Sequence, residues 1–142
     1  MPETLDRPSV GARLACLFYE ALTVVAVVIV FEIIPYTVLG AAVHLAPSGK
    51  VLLAHLFLIL LLYFAWQWTR GGQTLAMKTW RIRLVTADGG PLSPNIALLR
   101  YTLAWIGTLP LGLTFLWALL DRDGLYLHDR LSGTRLITVP RN

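Results

Sequence analysis

The sequence predicts an all-α membrane protein, a small helical bundle with two full transmembrane helices and a third, broken apolar segment. The 142-residue chain is 56% hydrophobic and has a mean hydropathy of +0.66. Only 14% of its residues are charged, against roughly 25% in soluble domains. Two long runs carry almost no ionisable side chain, and each reaches or approaches the roughly 20 apolar residues that cross a bilayer core. The length fits one domain, residues 1–142.

The first predicted span covers residues 14–34, where only Glu20 and Glu32 are ionisable. This run is longer than the roughly 7–15 apolar residues of a signal peptide, and no small-residue cleavage site follows it before Tyr36. We therefore expect an uncleaved anchor. Pro35 is expected to end the helix, because the residue before a proline is disfavoured in helix.

The second predicted span covers residues 51–68 and contains His55 as its only ionisable residue. Residues 36–50, between the spans, are expected to form a moderately apolar loop. The second span ends in a tyrosine and two tryptophans, followed by Arg70. Aromatic rings beside a basic residue are typical of a helix end at a membrane face.

A polar loop, residues 70–95, and a charged tail, residues 121–142, follow the second and third apolar runs. In the loop, Thr74–Trp80 is expected to form two amphipathic helical turns at the interface. Ile82–Thr86 and Arg135–Val139 both alternate like short strands. We predict that these two strands pair and thereby tie the loop to the tail.

The third apolar run, Ile96–Leu120, is long enough for one tilted span, but "GTLPLG" (Gly107–Gly112) interrupts it with helix breakers. If the run crosses fully, lysine and arginine divide 7 against 5 between the two membrane faces; if it turns back at Pro110, they divide 11 against Lys50 alone. The positive-inside rule favours the second, re-entrant arrangement. It predicts a protein of the inner (cytoplasmic) membrane with both termini cytoplasmic, whereas a full third span is the alternative.

Three motifs in order resemble the RDD family of bacterial membrane proteins. They are "RLACLFYEAL", then "GQTLAMKTWRIRLVTADGGPLS" with "LLRY", and finally "LLDRDGLYLHDRLSGTRLI", and together they cover about residues 11–139. The resemblance implies transport of some ligand at most, with cation–proton exchange suggested for some relatives.

The family takes its name from an arginine at the start of the first span, an aspartate within that span, and another aspartate. The resemblance places the arginine at Arg13 and the intramembrane acid at Glu20, where this chain has a side chain one methylene longer. The last aspartate matches Asp129, with Asp121 as the alternative. Ala76 stands where a glycine is common in the family.

The residues alone also single out the acid in the first span. Arg13 and Glu20 are seven residues apart on one helix face, so Glu20 lies about 10 Å deeper in the membrane. A charged group there costs roughly 2.5–3.5 kcal/mol on insertion scales, so it needs a partner or a proton. We expect Arg100 to be that partner. The pair is either a structural ion pair or a site where Glu20 binds a proton or a cation, and the structural interpretation is the simpler one.

Toward the opposite face, Glu32 and His55 form either a polar pair with each other or two separate groups. In the second and simpler interpretation, Glu32 is interfacial and His55 hydrogen-bonds a neighbouring helix.

The charged tail marks the return of the chain to water. We expect Asp121 and Asp129 to face Arg81 and Arg83, or Arg13, at the cytoplasmic mouth of the bundle. Ser132–Thr134 is expected to turn the chain into the last strand. "DRDG" does not continue as a calcium loop, since position 12 is a serine.

The sequence contains no nucleophile motif, phosphate-binding glycine loop or metal-ligand spacing, so we expect no enzyme activity, cofactor or metal. Cys16, the lone cysteine, cannot form an intramolecular disulfide. The basic residues flank apolar spans, which argues against nucleic-acid binding. An intramembrane enzyme is the least supported class because no motif suggests one.

Two functional hypotheses remain. The first is a small ion, proton or solute transporter module that acts as a homo-oligomer, because so few spans hardly enclose a pathway. The second is a membrane assembly or accessory protein with structural ion pairs and a membrane protein partner. In both, the lipid bilayer surrounds the apolar helices.

Overall fold

The computed structural model describes residues 6–108 and 112–140. In this part of the chain the elements are α1 (Val10–Val28), a π-helical turn (Ile29–Ile33), α2 (Ile34–Val43), α3 (Gly49–Gly71), α4 (Leu75–Thr79), β1 (Ile82–Thr86), α5 (Pro94–Thr108), α6 (Leu113–Leu120), α7 (Leu127–Ser132) and β2 (Thr134–Thr138). Two helices, Val10–Val43 and Gly49–Gly71, are long and apolar enough to cross a membrane. The predicted fold class is confirmed.

The first helix continues past its predicted end, so the prediction that Pro35 ends it is wrong. The chain passes through the π-helical turn Ile29–Ile33 and stays helical to Val43. A π turn holds one extra residue and loosens the hydrogen-bond ladder directly before the proline. The ring of Pro35 therefore fits without breaking the helix. The helix ends only at His44, whose left-handed backbone (φ 53) closes it.

The second span, α3, is a single helix of 23 residues that extends the predicted run at both ends. Near its end, Trp68 is buried in the core, whereas Trp66 is exposed with the Arg70 guanidinium 3.8 Å above its ring. An exposed tryptophan beside an arginine suits the interface between lipid and water.

The predicted strand pairing is confirmed, with the second strand one residue earlier than expected. β1 and β2 are antiparallel, and their register runs from Ile82 opposite Thr138 to Thr86 opposite Thr134. Gly133 (φ 66) turns the chain from α7 into β2, as predicted for the "SGT" segment. Ile82 and Leu84 point into the bundle and are each 1% exposed. The sheet therefore closes one end of the helical bundle.

The third apolar segment forms two helices, α5 and α6, whose axes differ by 96°. At 1.5 Å per residue, α5 is about 22 Å long, shorter than the roughly 30 Å hydrocarbon core. The strand pairing and a bond from the Thr138 N–H to the Asp6 carbonyl (2.8 Å) hold the tail beside the start of α1. The segment thus begins and ends at the same end of the bundle, as the re-entrant arrangement requires. The proposed turn at Pro110 lies outside the described residues.

Aromatic rings fill the space between α3 and α5. Phe57 and Phe64 pack against Tyr101, with ring centroids 5.0 and 6.1 Å apart. The Tyr101 hydroxyl donates a hydrogen bond to the Phe57 carbonyl at 2.8 Å. Trp105 continues the row one turn further along α5, 5.5 Å from Phe57. These contacts fix α5 against the second span.

Two glycines with the same backbone conformation provide a matched test of the closed end. Gly72 (φ 67) follows α3, and a Cβ there would lie 2.5 Å from the Leu84 carbonyl oxygen, whereas Gly133 (φ 66) has open space around it. Both alanine variants incur the roughly 1–2 kcal/mol cost of a left-handed residue.

Gly72→Ala must in addition displace the backbone of β1, so we expect it to cost at least about 2 kcal/mol more than Gly133→Ala. The measurement is SDS-induced unfolding of each variant from mild-detergent micelles. Equal losses of unfolding free energy in the two variants would show that the close contact between Gly72 and β1 does not contribute to stability.

Candidate functional site

A buried ion pair joins α5 to α7. Arg100 donates from Nε (3.0 Å) and Nη2 (2.7 Å) to the Oδ1 atom of Asp129. Both side chains are buried, with exposures of 6% and 1%. The Trp68 ring covers the guanidinium at 4.4 Å. Because a buried charge without its partner is very costly, the two side chains hold the tail on the bundle.

His128 extends this pair to α6. Its Nε2 lies 3.2 Å from Arg100 Nη2, and its Nδ1 lies 2.7 Å from Thr114 Oγ1. Arginine can only donate, so Nε2 accepts and the proton is on Nδ1. Burial lowers the pKa of His128 from 6.5 to about 4, and the charge of Arg100 acts in the same direction against the opposing effect of Asp129. His128 is therefore a neutral link between three helices.

Glu20 is not paired with Arg100, so the predicted Glu20–Arg100 pair is wrong. Its Oε2 instead accepts a hydrogen bond of 2.5 Å from the Thr74 hydroxyl. That hydroxyl also accepts from the Met77 N–H at 3.2 Å, which caps α4. The α7 helix packs directly against α5, so Asp129 rather than Glu20 reaches Arg100. The Oε1 atom of Glu20 is buried without a hydrogen-bond partner among the described residues.

Arg13 is directed toward the tail. Its Nη1 donates to the Gly124 carbonyl at 2.8 Å, and its guanidinium lies 4.4 Å above the Tyr126 ring. Arg13 and Asp129 both border a small cavity of about 10 Å³. No carboxylate forms an ion pair with Arg13 in the described part of the chain.

Asp121 has a local structural role. It accepts from Arg130 Nε (2.7 Å) and from the N–H groups of Asp123 (3.1 Å) and Leu125 (2.9 Å). The hydrogen bond from Arg130 lowers the pKa of Asp121. Neither Asp121 nor Asp129 pairs with Arg81 or Arg83 among the described residues, so that part of the expectation is wrong. Of the alternative, Asp129 shares the small cavity with Arg13 without an ion pair.

Each aspartate instead pairs with an arginine that lies close to it, within the tail or on α5. Asp121 binds an arginine of the tail itself, nine residues further along. Asp129 binds Arg100 of α5, which lies directly beneath α7.

Glu20 lines a partly open cavity with a volume of about 600 Å³. Helices α1, α3 and α5 line it together with the tail. Arg13, Arg100 and His128 contribute its other polar groups, and most of the remaining lining is apolar or aromatic. Of the five predicted site residues, the structure thus brings Arg13, Glu20 and Arg100 to one cavity. Asp129 lies behind Arg100, and Asp121 lies outside.

Comparison with known proteins identifies the family of the chain. The sequence profile of the RDD family matches residues 7–133, nearly the whole chain. The chain belongs to the RDD family. No curated protein and no solved structure matches it. In this RDD protein, Arg13 and Asp129 both line the small cavity.

Two residues that contact the predicted site residues, Thr74 and His128, were not identified from the sequence. Thr74 carries a detectable signal, since a threonine before a short helix is a common N-cap. His128 adjoins Asp129, but the sequence does not indicate that its ring turns toward α5 and α6. Both are buried, with exposures of 0% and 6%.

A second buried carboxyl group lies further along the first helix. Glu32 Oε2 is 2.7 Å from His55 Nδ1, and the Tyr36 ring meets the imidazole edge-on at 5.3 Å. Of the two alternatives, the structure selects the polar pair. This contact joins the first helix to α3 and is separate from the cavity at Glu20. Among the described residues, no group of three histidine, cysteine or acidic side chains could hold a metal ion.

The neutral His128 gives a pH prediction. The unfolded chain takes up this proton near pH 6.5, whereas the folded RDD domain resists it down to about pH 4. We expect the free energy of unfolding to fall by up to about 3 kcal/mol as pH is lowered through this window. His128→Gln retains a donor and an acceptor but cannot titrate, so its stability should change less. SDS unfolding at several pH values measures both proteins, and equal slopes would contradict a buried neutral histidine.

Proposed function

We propose that this RDD protein is a small membrane carrier module that exchanges a proton on Glu20 for a cation. The observation that carries this proposal is the position of the Glu20 carboxyl group. It lines a cavity of about 600 Å³, and among the described residues no basic side chain forms an ion pair with it, since Arg100 is bound to Asp129.

A carboxyl group within a membrane is stable in two forms. Either it holds a proton, or it holds a cation that replaces the proton, since both avoid a bare charge in an apolar setting. The hydrogen bond from Thr74 holds one oxygen, and the other is buried without a hydrogen-bond partner among the described residues. Exchange between the two forms is the chemistry expected of a cation–proton carrier.

We propose that the protein lies in the cytoplasmic membrane. The closed end of the bundle would then face the cytoplasm. The tail, the polar loop and the start of α1 lie together at this end. They carry most of the basic residues, whereas Lys50 lies at the other end, between the two spans. This asymmetry supports cytoplasmic termini through the positive-inside rule. Two full spans hardly enclose a pathway, so the proposed carrier is a homo-oligomer.

A second candidate is an assembly or accessory protein. The connected network of Arg100, Asp129 and His128 favours it, because this network has the character of a structural lock. In that case Glu20 would also contribute mainly to packing.

The test uses proteoliposomes with an acidic interior that contain a pH-sensitive dye. Sodium, potassium and tetraethylammonium chlorides are added outside in separate experiments. We expect at least one cation to discharge the gradient with the wild type and not with Glu20→Gln. Glu32→Gln, the same change at the other buried acid of the first helix, is the matched control and should retain activity.

Discharge by Glu20→Gln at the wild-type rate, or no discharge by any cation, would contradict the carrier. Loss of Glu20→Gln from the membrane fraction, with no cation response in the wild type, is the result expected of an assembly protein.

A further inference from the structure

The cavity at Glu20 is far larger than an inorganic ion. Its volume of about 600 Å³ falls within the range of small-molecule sites, about 300–1,000 Å³. One water molecule occupies about 30 Å³ of liquid, so a bare ion beside Glu20 would contact only a small part of this partly open cavity. We propose that the cation accepted by Glu20 is a hydrophobic organic cation with aromatic or alkyl groups. This inference rests on the proposed function, since it names the ligand class of the same carboxyl group.

The lining supports an apolar ligand body. Phe64, Tyr101 and Trp105 form one wall from α3 and α5, with Tyr101 6.1 Å from Phe64 and 6.2 Å from Trp105. Phe115 lines the cavity from the other arm of the third segment. Aromatic rings attract cations through their faces and bury large apolar surfaces. A hydrated inorganic ion would bury no apolar surface against these rings.

The distribution of charge determines the sign of the ligand. Arg100 is paired with Asp129 and covered by Trp68, so most of its positive charge is balanced within the protein. Arg13 is directed to the Gly124 carbonyl and the Tyr126 ring, about 10 Å from Glu20 along the helix. Within the described part of the cavity lining, Glu20 is the acidic group without a basic partner. A positive head beside Glu20 and an apolar body against α5 fit this arrangement.

Two ions of the same shape and opposite charge test the inference. Tetraphenylphosphonium and tetraphenylborate are titrated into the full protein in nanodiscs, with empty nanodiscs as the partition control. Binding is followed by quenching of tryptophan fluorescence, because Trp68 and Trp105 line the cavity. We expect the cation to bind the wild type at least roughly tenfold more tightly than the anion, since the carboxylate acts in a low-dielectric site.

Glu20→Gln should bring the two affinities close together, whereas Glu20→Asp, which keeps the charge, should retain the preference. If Glu20→Gln does not fold, the wild-type preference and its retention in Glu20→Asp still decide the question. Equal binding of both ions by the wild type, or tighter binding of the anion through Arg13, would overturn the inference. So would sodium-driven exchange through Glu20 without any phosphonium binding, which would leave the proposed carrier intact.

Discussion

The buried ion pair between Arg100 and Asp129 is the contact on which the rest of the structure depends. It joins the third apolar segment to the tail, and both partners are almost completely withdrawn from water. Neither charge could stay in place without the other. Since α7 is held on α5, the following strand β2 lies beside β1, and the sheet closes the end of the bundle. The ion pair and the strand pairing together therefore hold the end of the broken segment on the side where the segment begins.

Because Arg100 is bound to Asp129, it does not form an ion pair with Glu20. The acid of the first span accepts a hydrogen bond from Thr74 instead, and its second oxygen is buried without a hydrogen-bond partner among the described residues. The Glu20 side chain lines a cavity that is also lined by aromatic rings. The polar side chains around the cavity thus have two different roles. Arg100, Asp129 and His128 fix the closed end, and Glu20 is available for a ligand. This division reconciles a structural role for most of the charged residues with a binding role for one of them.

The sequence predicted the architecture well because its signals were local. The apolar runs, the alternating strands and the breakers in the third segment each reflect neighbouring residues. The partners of Glu20 and Arg100 depended on how α7 packs against α5, which no local pattern specifies. The length of the first helix was also underestimated, because a π turn before Pro35 removes the clash that usually ends a helix there. Thr74 is the site residue that capping rules could have identified.

A double-mutant cycle on Arg100 and Asp129 tests this account most directly. The variants are Arg100→Met, Asp129→Leu and the combination of both, compared by the free energy of SDS-induced unfolding. Each single change leaves one buried charge, so we predict a loss of about 3–5 kcal/mol from either, whereas the double variant should be more stable than both. Additive losses would show that the two residues act independently and would contradict the ion pair as the basis of the closed end.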